Sequence, residues 1–355
     1  MTGVVRERPM RLASVFFVLA IAAGFLGAAR ADASSGAPGS QVLFSRDLGG
    51  SAGVEVFTMR ADGTGQTRLT NSPGADVPVA YSPDGAKILF WSERSGEGAQ
   101  VYTMDAYGSA QTKLTSGPGT NTPVGFSPTG QKIAYTGTAA GNNDVWVMNA
   151  DGTGKKQLTK SAADDVPSGF SPDGTKVLFL SNRKNASNVF TVDVATKRKK
   201  RLSDAAVNVP VAYSPDGAKI LYTTTVAGSY EVAVMNADGS GKVVLTSAPG
   251  ADYGVRFSPD GTRILFSSDR TGAPQVWSMA VNGSSQTQLT TVSAVGLPAA
   301  GGSVPVTYSP DGAKILFTAY RDGRSQVYAM SADGSAQTNL SASPTTSDVG
   351  VAYLP

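Results

Sequence analysis

The groups in this sequence that could perform acid–base or ligand chemistry are carboxylates, amides and guanidinium groups. The 355 residues include no histidine and no cysteine. This composition excludes a Ser-His-Asp triad, a Cys-His pair and any imidazole-ligated metal centre. Pairs of carboxylates could still act as general acid and base. Any chemistry must therefore come chiefly from the 27 aspartates and glutamates.

A repeated turn motif sets the positions of many of these carboxylates. Ser-Pro-Asp-Gly begins at five positions, and the variant Ser-Pro-Thr-Gly begins at Ser127. The five positions are Ser82, Ser171, Ser214, Ser258 and Ser309. Successive copies lie about 44 residues apart, with one longer step of 51 residues before the last. A fixed period of this size indicates a solenoid, an array or a propeller.

Four short β-type segments occupy each period. In the period that contains Ser82 they are residues 77–82, 87–90, 100–104 and 113–115, and turn signals separate them. Pro-Asp-Gly supplies a fixed φ, a side chain that caps its own turn and a residue that accepts positive φ. The aspartates of these turns, at 84, 173, 216, 260 and 311, are therefore interpreted as turn caps. Four antiparallel strands per period is the size of one propeller blade.

The repeat count predicts an all-β fold, a seven-bladed β-propeller of four-stranded antiparallel blades. The repetitive region begins with a second strand at residues 41–45 and ends with a lone first strand at residues 349–354. These two pieces complete one blade if the C-terminal strand pairs with the N-terminal strands. Such closure leaves no open sheet edge, and it favours a monomer.

The first 31 residues have the layout of a secretory signal peptide. Arg6, Arg8 and Arg11 precede an uncharged apolar run over residues 12–29, and small residues follow. An uncleaved membrane anchor is the alternative. The sequence thus predicts a signal peptide at 1–31, a short linker at 32–40 and a propeller at 41–355, in a secreted or periplasmic protein. No other segment approaches membrane length.

The charge of the exported part argues against one class of partner. Without residues 1–31 the chain has 26 basic and 26 acidic residues, so it is formally neutral. A neutral protein has no positive field to attract phosphates, and we expect no binding to nucleic acid.

The repeat resembles the WD40-like (PD40) repeats of the TolB-type β-propeller family. The residues that carry the resemblance are Tyr/Phe-Ser-Pro-Asp-Gly, Lys-Ile-Leu-Phe, Val-Tyr-Met-Asn-Ala-Asp-Gly and Leu-Thr, and they recur over residues 41–355. The resemblance implies that the first strand of each blade lines a central channel. Hydrolases that resemble this ring carry an appended α/β-hydrolase domain. Together with the missing histidine, this predicts that the chain is not an enzyme and needs no cofactor.

Seven polar residues define the candidate ligand site. Each lies two positions before the proline, or its glycine equivalent, in the first strand of a blade. They are Asp76, Asn121, Asp165, Asn208, Asp252, Ser303 and Asp348. We expect them to encircle one mouth of the channel, on the loop face, the end of the ring that carries the fourth-to-first and second-to-third loops. Such a ring could bind a cation or a basic group of a partner peptide, or each side chain could cap its own loop; a metal ion is left open.

Five arginines recur after the second strand on the same face. They are Arg46, Arg94, Arg183, Arg270 and Arg321. We expect them to pair with acidic residues between blades.

The sequence favours an exported, non-catalytic scaffold that binds a protein or peptide of the cell envelope or extracellular space at the loop face. A lectin-like module for cell-wall or extracellular polysaccharide is the alternative, and it would use exposed aromatic residues in loops. Candidates for that role are Tyr107, Tyr230, Tyr253 and Tyr320. A histidine-free lyase or glycosidase is a second alternative.

Overall fold

The structure, a computed structural model, describes seven stretches of the chain. They are residues 37–50, 53–138, 141–183, 186–204, 207–291, 302–321 and 323–355. The predicted signal peptide and the first half of the predicted linker lie outside them. In the described stretches, no helix has the length and apolar character needed to span a bilayer.

Twenty-eight strands account for nearly all regular structure in the described residues. The first eleven are β1 (Gln41–Asp47), β2 (Val54–Arg60), β3 (Thr67–Arg68), β4 (Asp76–Tyr81), β5 (Lys87–Ser92), β6 (Gln100–Asp105), β7 (Thr112–Lys113), β8 (Asn121–Phe126), β9 (Lys132–Gly137), β10 (Asp144–Asn149) and β11 (Lys156–Gln157). The next eight are β12 (Asp165–Phe170), β13 (Lys176–Ser181), β14 (Asn188–Asp193), β15 (Lys199–Arg201), β16 (Asn208–Tyr213), β17 (Lys219–Val226), β18 (Ser229–Asn236) and β19 (Val243–Val244). The last nine are β20 (Asp252–Phe257), β21 (Arg263–Ser268), β22 (Gln275–Ala280), β23 (Thr287–Gln288), β24 (Ser303–Tyr308), β25 (Lys314–Arg321), β26 (Arg324–Ser331), β27 (Thr338–Asn339) and β28 (Ser347–Tyr353).

These strands form seven antiparallel sheets of four, which confirms the predicted seven-bladed propeller. Blade 1 has the order β28-β1-β2-β3, and blades 2 to 7 each use four consecutive strands, from β4–β7 to β24–β27. The first strand of each blade approaches the first strands of its two neighbours, and β28 closes the circle against β4. The seven first strands are therefore innermost and surround the channel.

The turn between the first two strands of a blade is stabilised by its own side chains. In blade 2 the Ser82 hydroxyl accepts a hydrogen bond from the Lys87 amide at 2.9 Å and donates one to the Asp84 carboxylate at 2.5 Å. Gly85 takes a φ of +71°, which a residue with a side chain rarely adopts. In blade 5 the equivalent hydroxyl of Ser214 lowers the pKa of Asp216. The predicted role of these aspartates as turn caps is confirmed.

The hydrophobic core is divided among the interfaces between blades. At the junction of blades 7 and 1, Phe44 and Met59 pack with Leu316 and Leu340, and all four are buried. Gly63 also meets this junction, where a side chain would place its Cβ 2.6 Å from the Leu340 carbonyl oxygen. The ring is thus closed by sheet pairing within blade 1 and by buried apolar packing between blades 7 and 1.

Removal of residues 347–355 tests this closure. The deletion takes away β28, which pairs with β1 over residues 42–47, and it leaves blade 1 with an open edge. We expect loss of a single cooperative transition in thermal unfolding followed by circular dichroism. Removal of Pro355 alone is the control and should leave the transition unchanged. An unchanged melting temperature in the longer deletion would contradict the closure.

Candidate functional site

The seven residues predicted to form a polar ring lie together at one end of the innermost strands. Six of them begin their strand, and Asp348 is the second residue of β28. Asp76, Asp165, Asp252 and Asp348 have no solvent exposure, and the other side chains are buried or nearly so. The side chains therefore share one level of the ring but lie in the protein interior. Their contact with a ligand stays a prediction.

A buried ion pair crosses blade 2 at this level. Arg94 donates from Nη2 to Oδ2 of Asp76 at 2.7 Å, and its Nε donates to the Ser92 hydroxyl at 2.9 Å. The guanidinium carbon also lies 5.5 Å from the centre of the Phe90 ring and 5.1 Å from that of Tyr102. Because a buried carboxylate is costly without a cation, this ion pair offsets the cost of burying Asp76 and fixes the start of β4. We call the arrangement the Asp–Arg brace.

The brace occurs in four blades. The nitrogen–oxygen distances are 2.8 Å for Arg46–Asp348, 2.7 Å for Arg94–Asp76, 3.0 Å for Arg183–Asp165 and 2.7 Å for Arg270–Asp252. For these four arginines the prediction of acidic partners is confirmed, but pairing between blades is wrong. Each pair joins two strands of one blade, because the end of the second strand adjoins the start of the first in an antiparallel hairpin.

A glutamine extends the brace to the preceding blade. Arg94 donates to Oε1 of Gln111 at 2.6 Å, and Nε2 of Gln111 donates to the carbonyl of Leu69 in blade 1 at 2.9 Å. Gln286 links Arg270 to Leu245 in the same way, at 2.7 Å and 3.0 Å. The ion pair therefore helps to fix the orientation of one blade against the next.

A second buried polar layer, which the sequence reasoning missed, lies near the start of the third strands. Its members are Glu55, Gln100, Asp144, Asn188, Glu231, Gln275 and Gln326. Each forms a hydrogen bond with a threonine or serine hydroxyl 15 residues later, as Gln100 does with Thr115 at 2.8 Å. That hydroxyl in turn accepts the amide of the residue after the layer position. The constant spacing of 15 was the signal that could have revealed this layer.

Carboxyl groups of the two layers meet at some blade junctions. Burial raises the pKa of Glu231, and the neighbouring carboxyl of Asp252, within hydrogen-bonding reach, raises it further. Burial likewise raises the pKa of Asp144, with a contribution from Asp165. Oδ1 of Asp252 is buried, and no other group donates a hydrogen bond to it. A proton on the Glu231 carboxyl can therefore be shared with the Asp252 carboxylate. Within the described stretches, no three acidic side chains converge as a metal-ligand group.

The channel mouth itself is lined by the residues that follow the polar ring. These are Val77, Thr122, Val166, Val209, Tyr253, Val304 and Val349. All are partly exposed, with 37% for Val209, 40% for Tyr253 and 45% for Val349. Since successive side chains of a strand alternate between faces, burying the ring residue turns the next one towards the channel. The mouth is therefore mainly apolar rather than acidic.

A groove opens on the loop face beside blades 5 and 6. It has a volume of about 540 Å³ and lies between the β17–β18 hairpin and residues 244–250, with Val226, Ser229 and Gly250 in its walls and Glu231 among its lining residues. The rings of Tyr230 and Tyr253 stand next to it in sequence and pack together, with centres 5.1 Å apart. A concave surface, exposed apolar groups and polar atoms thus meet at this groove.

Family models match two overlapping parts of the chain. Residues 170–299 match the TolB beta propeller domain (PD40), and residues 97–225 match the N-terminal beta propeller domain of Tricorn protease. No curated protein sequence matches the chain.

Solved structures share the fold at low sequence identity. TolB from Acinetobacter baumannii superposes with a TM-score of 0.53 and 21% identity over 69% of this chain, which covers 62% of TolB. Oligogalacturonate lyase from Vibrio parahaemolyticus gives a TM-score of 0.59 and 14% identity over 85% of this chain and 86% of the lyase. A puromycin hydrolase mutant gives 0.67 and 15% over 91% of this chain, which spans 57% of the hydrolase. The chain thus spans less than two thirds of TolB and of the hydrolase.

These similarities contradict the prediction that the chain is not an enzyme, and that prediction is wrong. The expectation rested on the missing histidine and on the missing hydrolase domain. The lyase is a protein of similar length with the same fold, so a propeller without an appended domain can be an enzyme. The sequence excludes histidine-dependent mechanisms and does not exclude catalysis by a propeller of this kind.

A double-mutant cycle tests the Asp–Arg brace. Arg94→Val should cost about 3 kcal/mol of unfolding free energy, because it leaves Asp76 buried without its cation. Adding Asp76→Asn should recover at least half of that loss, since blade 5 carries Asn208 and Val226 at the equivalent positions. Urea denaturation measures the coupling. Additive effects of the two substitutions would refute the brace.

Glu231→Gln tests the shared proton. Because the folded-state pKa of Glu231 is raised, its stabilising contribution is present at acidic pH and is lost as pH rises above the ordinary value of 4.5. The amide introduced by the substitution can donate to Asp252 at every pH, and blades 2, 6 and 7 already carry glutamine at the equivalent position. We expect a gain of about 1 kcal/mol at pH 7 and little change at pH 4.

The exposed pair of Glu97 with Lys113 supplies the control for this substitution. Glu97→Gln removes a carboxylate that is already paired with a cation, so it should not stabilise the protein at pH 7. Equal gains at both pH values for Glu231→Gln would contradict the shared proton.

Proposed function

We propose that this chain, a propeller of the TolB-type PD40 repeat family, binds an extended segment of a partner protein or peptide on its loop face. The observation that carries the proposal is the cluster of exposed apolar side chains at blades 5 and 6. Val209, Val226 and Tyr253 are 37%, 44% and 40% exposed and lie around one groove and the adjoining channel mouth. Exposed apolar groups gathered around a concave surface are typical of binding sites.

The shape of this region favours an extended segment over a flat protein surface. The groove is bordered by a two-stranded hairpin whose strands pair as far as Val226 and Ser229, and it is of a size that accommodates a few side chains. Tyrosine is common in such sites because it offers a large apolar surface at small entropic cost. The partner segment would place apolar side chains in the groove and continue across the channel mouth.

The polar ring has a supporting part in this proposal. Asp252, bound to Arg270 at 2.7 Å, holds the start of β20 and thereby the adjacent Tyr253. A rigid scaffold keeps the binding surface formed before the partner arrives, which lowers the entropic cost of binding. The seven predicted residues would thus hold in place the strands that carry the binding surface. Direct contact of any of them with a ligand stays a prediction.

Export is part of the proposed function. The charged start and apolar run of residues 1–31 are typical of a signal peptide, and the remaining chain contains no cysteine that would need an oxidising or reducing environment. The partner would therefore be a protein or peptide of the cell envelope or of the extracellular space.

A carbohydrate ligand is the second candidate, favoured by the packed pair of Tyr230 and Tyr253. Aromatic rings open to solvent form platforms for sugar rings. The two tyrosines lie near the starts of β18 and β20 rather than in loops, and both are partly exposed. One solved structure with the same fold is an oligogalacturonate lyase, whose name indicates a sugar-acid substrate. This candidate uses the same groove but a different occupant, so one experiment can separate the two.

The test uses protein recovered after export from cells that express the full chain. Wild type and Val226→Asp/Tyr253→Asp are immobilised and exposed to native envelope extract, culture supernatant and a panel of acidic and neutral polysaccharides. The matched control is Val243→Asp, which makes the same kind of change in β19 at a half-exposed valine that does not line the groove. We expect the groove variant to retain a partner protein at least about 10-fold less than wild type, and the control to match wild type.

The outcomes separate the candidates. Loss of a protein partner in the groove variant alone supports the proposal. If the groove variant loses only polysaccharide binding, the result supports the carbohydrate ligand as the occupant of the groove. Equal retention by all three proteins would overturn both.

A further inference from the structure

The turn between the third and fourth strands of blade 4 breaks the repeat with five consecutive cations, Lys197–Arg201. In the other six blades this turn contains a glycine with a φ between +86° and +92°. The turn of blade 4 is one residue longer, since the Asp193 amide donates to the carbonyl of Arg198, and Lys197 takes a φ of +60°. A lysine is costly in this left-handed region. The five cations, which we call the basic hairpin, are therefore not needed to build a blade.

The side chains of the basic hairpin are all exposed, and four of them carry an unpaired charge. Arg201 donates from Nε to the carbonyl of Ser203 at 2.7 Å and lies 3.6 Å from the carboxylate of Asp204. The other four cations form no ion pair with any residue that the structure describes. The Asp193 carboxylate caps the turn and accepts the Thr196 amide at 2.8 Å. Four positive charges therefore lie side by side on the surface without an acidic partner.

Two members of the basic hairpin face the junction of blades 3 and 4. Lys199 and Arg201 pair with residues of β14 that are buried in the core between these blades, and paired residues point to the same side of a sheet. Lys156 of blade 3 approaches from the other side, where its Nζ donates to the carbonyls of Val194 and Ala195 at 2.7 Å and 2.8 Å. This contact adds a sixth cation and ties the hairpin to blade 3. The equivalent positions at the junction of blades 6 and 7 are uncharged: Thr287, Gln337 and Asn339.

Exposed carboxylates border the basic hairpin. The side chain of Asp204, beside Arg201, is 78% exposed. Asp238 of blade 5 is also exposed; hydrogen bonds from Ser240 lower its pKa, and the nearby charge of Lys200 contributes. Such carboxylates repel a densely charged polyanion, whereas they accept hydrogen bonds from hydroxyl groups. The surface therefore favours a ligand that carries both carboxylates and hydroxyls.

We propose that the basic hairpin binds an acidic polysaccharide, with its cations on the carboxylates of the polymer and the bordering aspartates on the hydroxyl groups. Ammonium and guanidinium groups both form charge-assisted hydrogen bonds with carboxylates. Residues of a strand are spaced about 3.3 Å apart, so the hairpin forms a narrow strip that one polymer chain can follow. Residues 195–201 include no aromatic or large apolar side chain that could stack on a base or enter a bilayer.

This site is separate from the groove proposed to bind a partner segment. The groove lies on the loop face, beside the β17–β18 hairpin, whereas the turn between β14 and β15 lies at the opposite end of the blade. The proposal therefore does not depend on the proposed function.

The test compares binding of the exported protein to immobilised polymers by biolayer interferometry. Alginate in calcium-free buffer is the acidic polysaccharide, dextran is a neutral one, and polyphosphate is a polyanion without hydroxyl groups along its chain. Vesicles that contain phosphatidylglycerol represent a membrane surface. The hairpin variant leaves Arg201 and Lys156 in their contacts and is Lys197→Asn/Arg198→Gln/Lys199→Gln/Lys200→Gln. A matched variant of the same net charge removes four exposed cations of blades 1, 2 and 7 and is Arg60→Gln/Lys87→Gln/Lys314→Gln/Arg324→Gln.

We expect wild type and the matched variant to bind alginate equally, and the hairpin variant to bind it at least about 10-fold more weakly and with a smaller loss of affinity as NaCl is raised. Dextran, polyphosphate and the vesicles should bind wild type more weakly than alginate does. Equal losses in the two variants would assign binding to net charge and overturn the proposal, and so would the absence of alginate binding. Tighter, hairpin-dependent binding of polyphosphate or of vesicles would also overturn it.

Discussion

A buried carboxylate needs a cation, and this requirement organises the propeller. Asp76 has no solvent exposure and is bound at 2.7 Å by Arg94, whose guanidinium group also lies over two aromatic rings of the same blade. One side chain thereby touches the first strand, packs on the second and third, and reaches the glutamine before the fourth. In a low-dielectric interior, loss of one partner would strand the other charge. The interaction makes each four-stranded sheet that carries it one mechanical unit.

The ring arises when these units contact one another through repeated links. Gln111 connects the brace of blade 2 to the backbone of blade 1, and in blade 1 the brace itself joins the two ends of the chain, because Asp348 belongs to β28 and Arg46 to β1. Sheet pairing of β28 with β1, apolar packing between blades 7 and 1, and the buried Arg46–Asp348 ion pair therefore close the ring together. In a closed ring the outward sheet edges are strands of only two or three residues, and the loops are held at fixed distances.

The same constraint explains why the loop face is apolar at its centre. The ring aspartates Asp252 and Asp348 turn into the blades to meet their arginines, and alternation then directs Tyr253 and Val349 to the channel mouth. Blades without a brace vary more, and blade 5, which lacks it, carries the extended hairpin that borders the groove. In blade 6 the repeat is broken at Tyr253, where the other blades carry valine or threonine, while the regular positions maintain the scaffold.

The sequence by itself determined the blade. Strand alternation and the Ser-Pro-Asp-Gly turns are local patterns that define one blade, and the 44-residue period gives the number of blades. Together they predict seven four-stranded sheets and the closure by the last strand correctly. Composition also excluded histidine-dependent chemistry, although it could not exclude catalysis by the fold.

Which face of each strand looks into the channel was decided by the tertiary structure. Alternation places Asp76 and Val77 on opposite faces but does not say which of the two side chains the neighbouring blade buries. The burial of the ring carboxylates therefore could not be predicted from the sequence, and their contact with a ligand stays a prediction. The meeting of Glu231 with Asp252 likewise depends on two blades being side by side at the angle of a closed ring. Contacts between residues far apart in the chain depend on packing of whole sheets, and local patterns in the sequence carry little information about them.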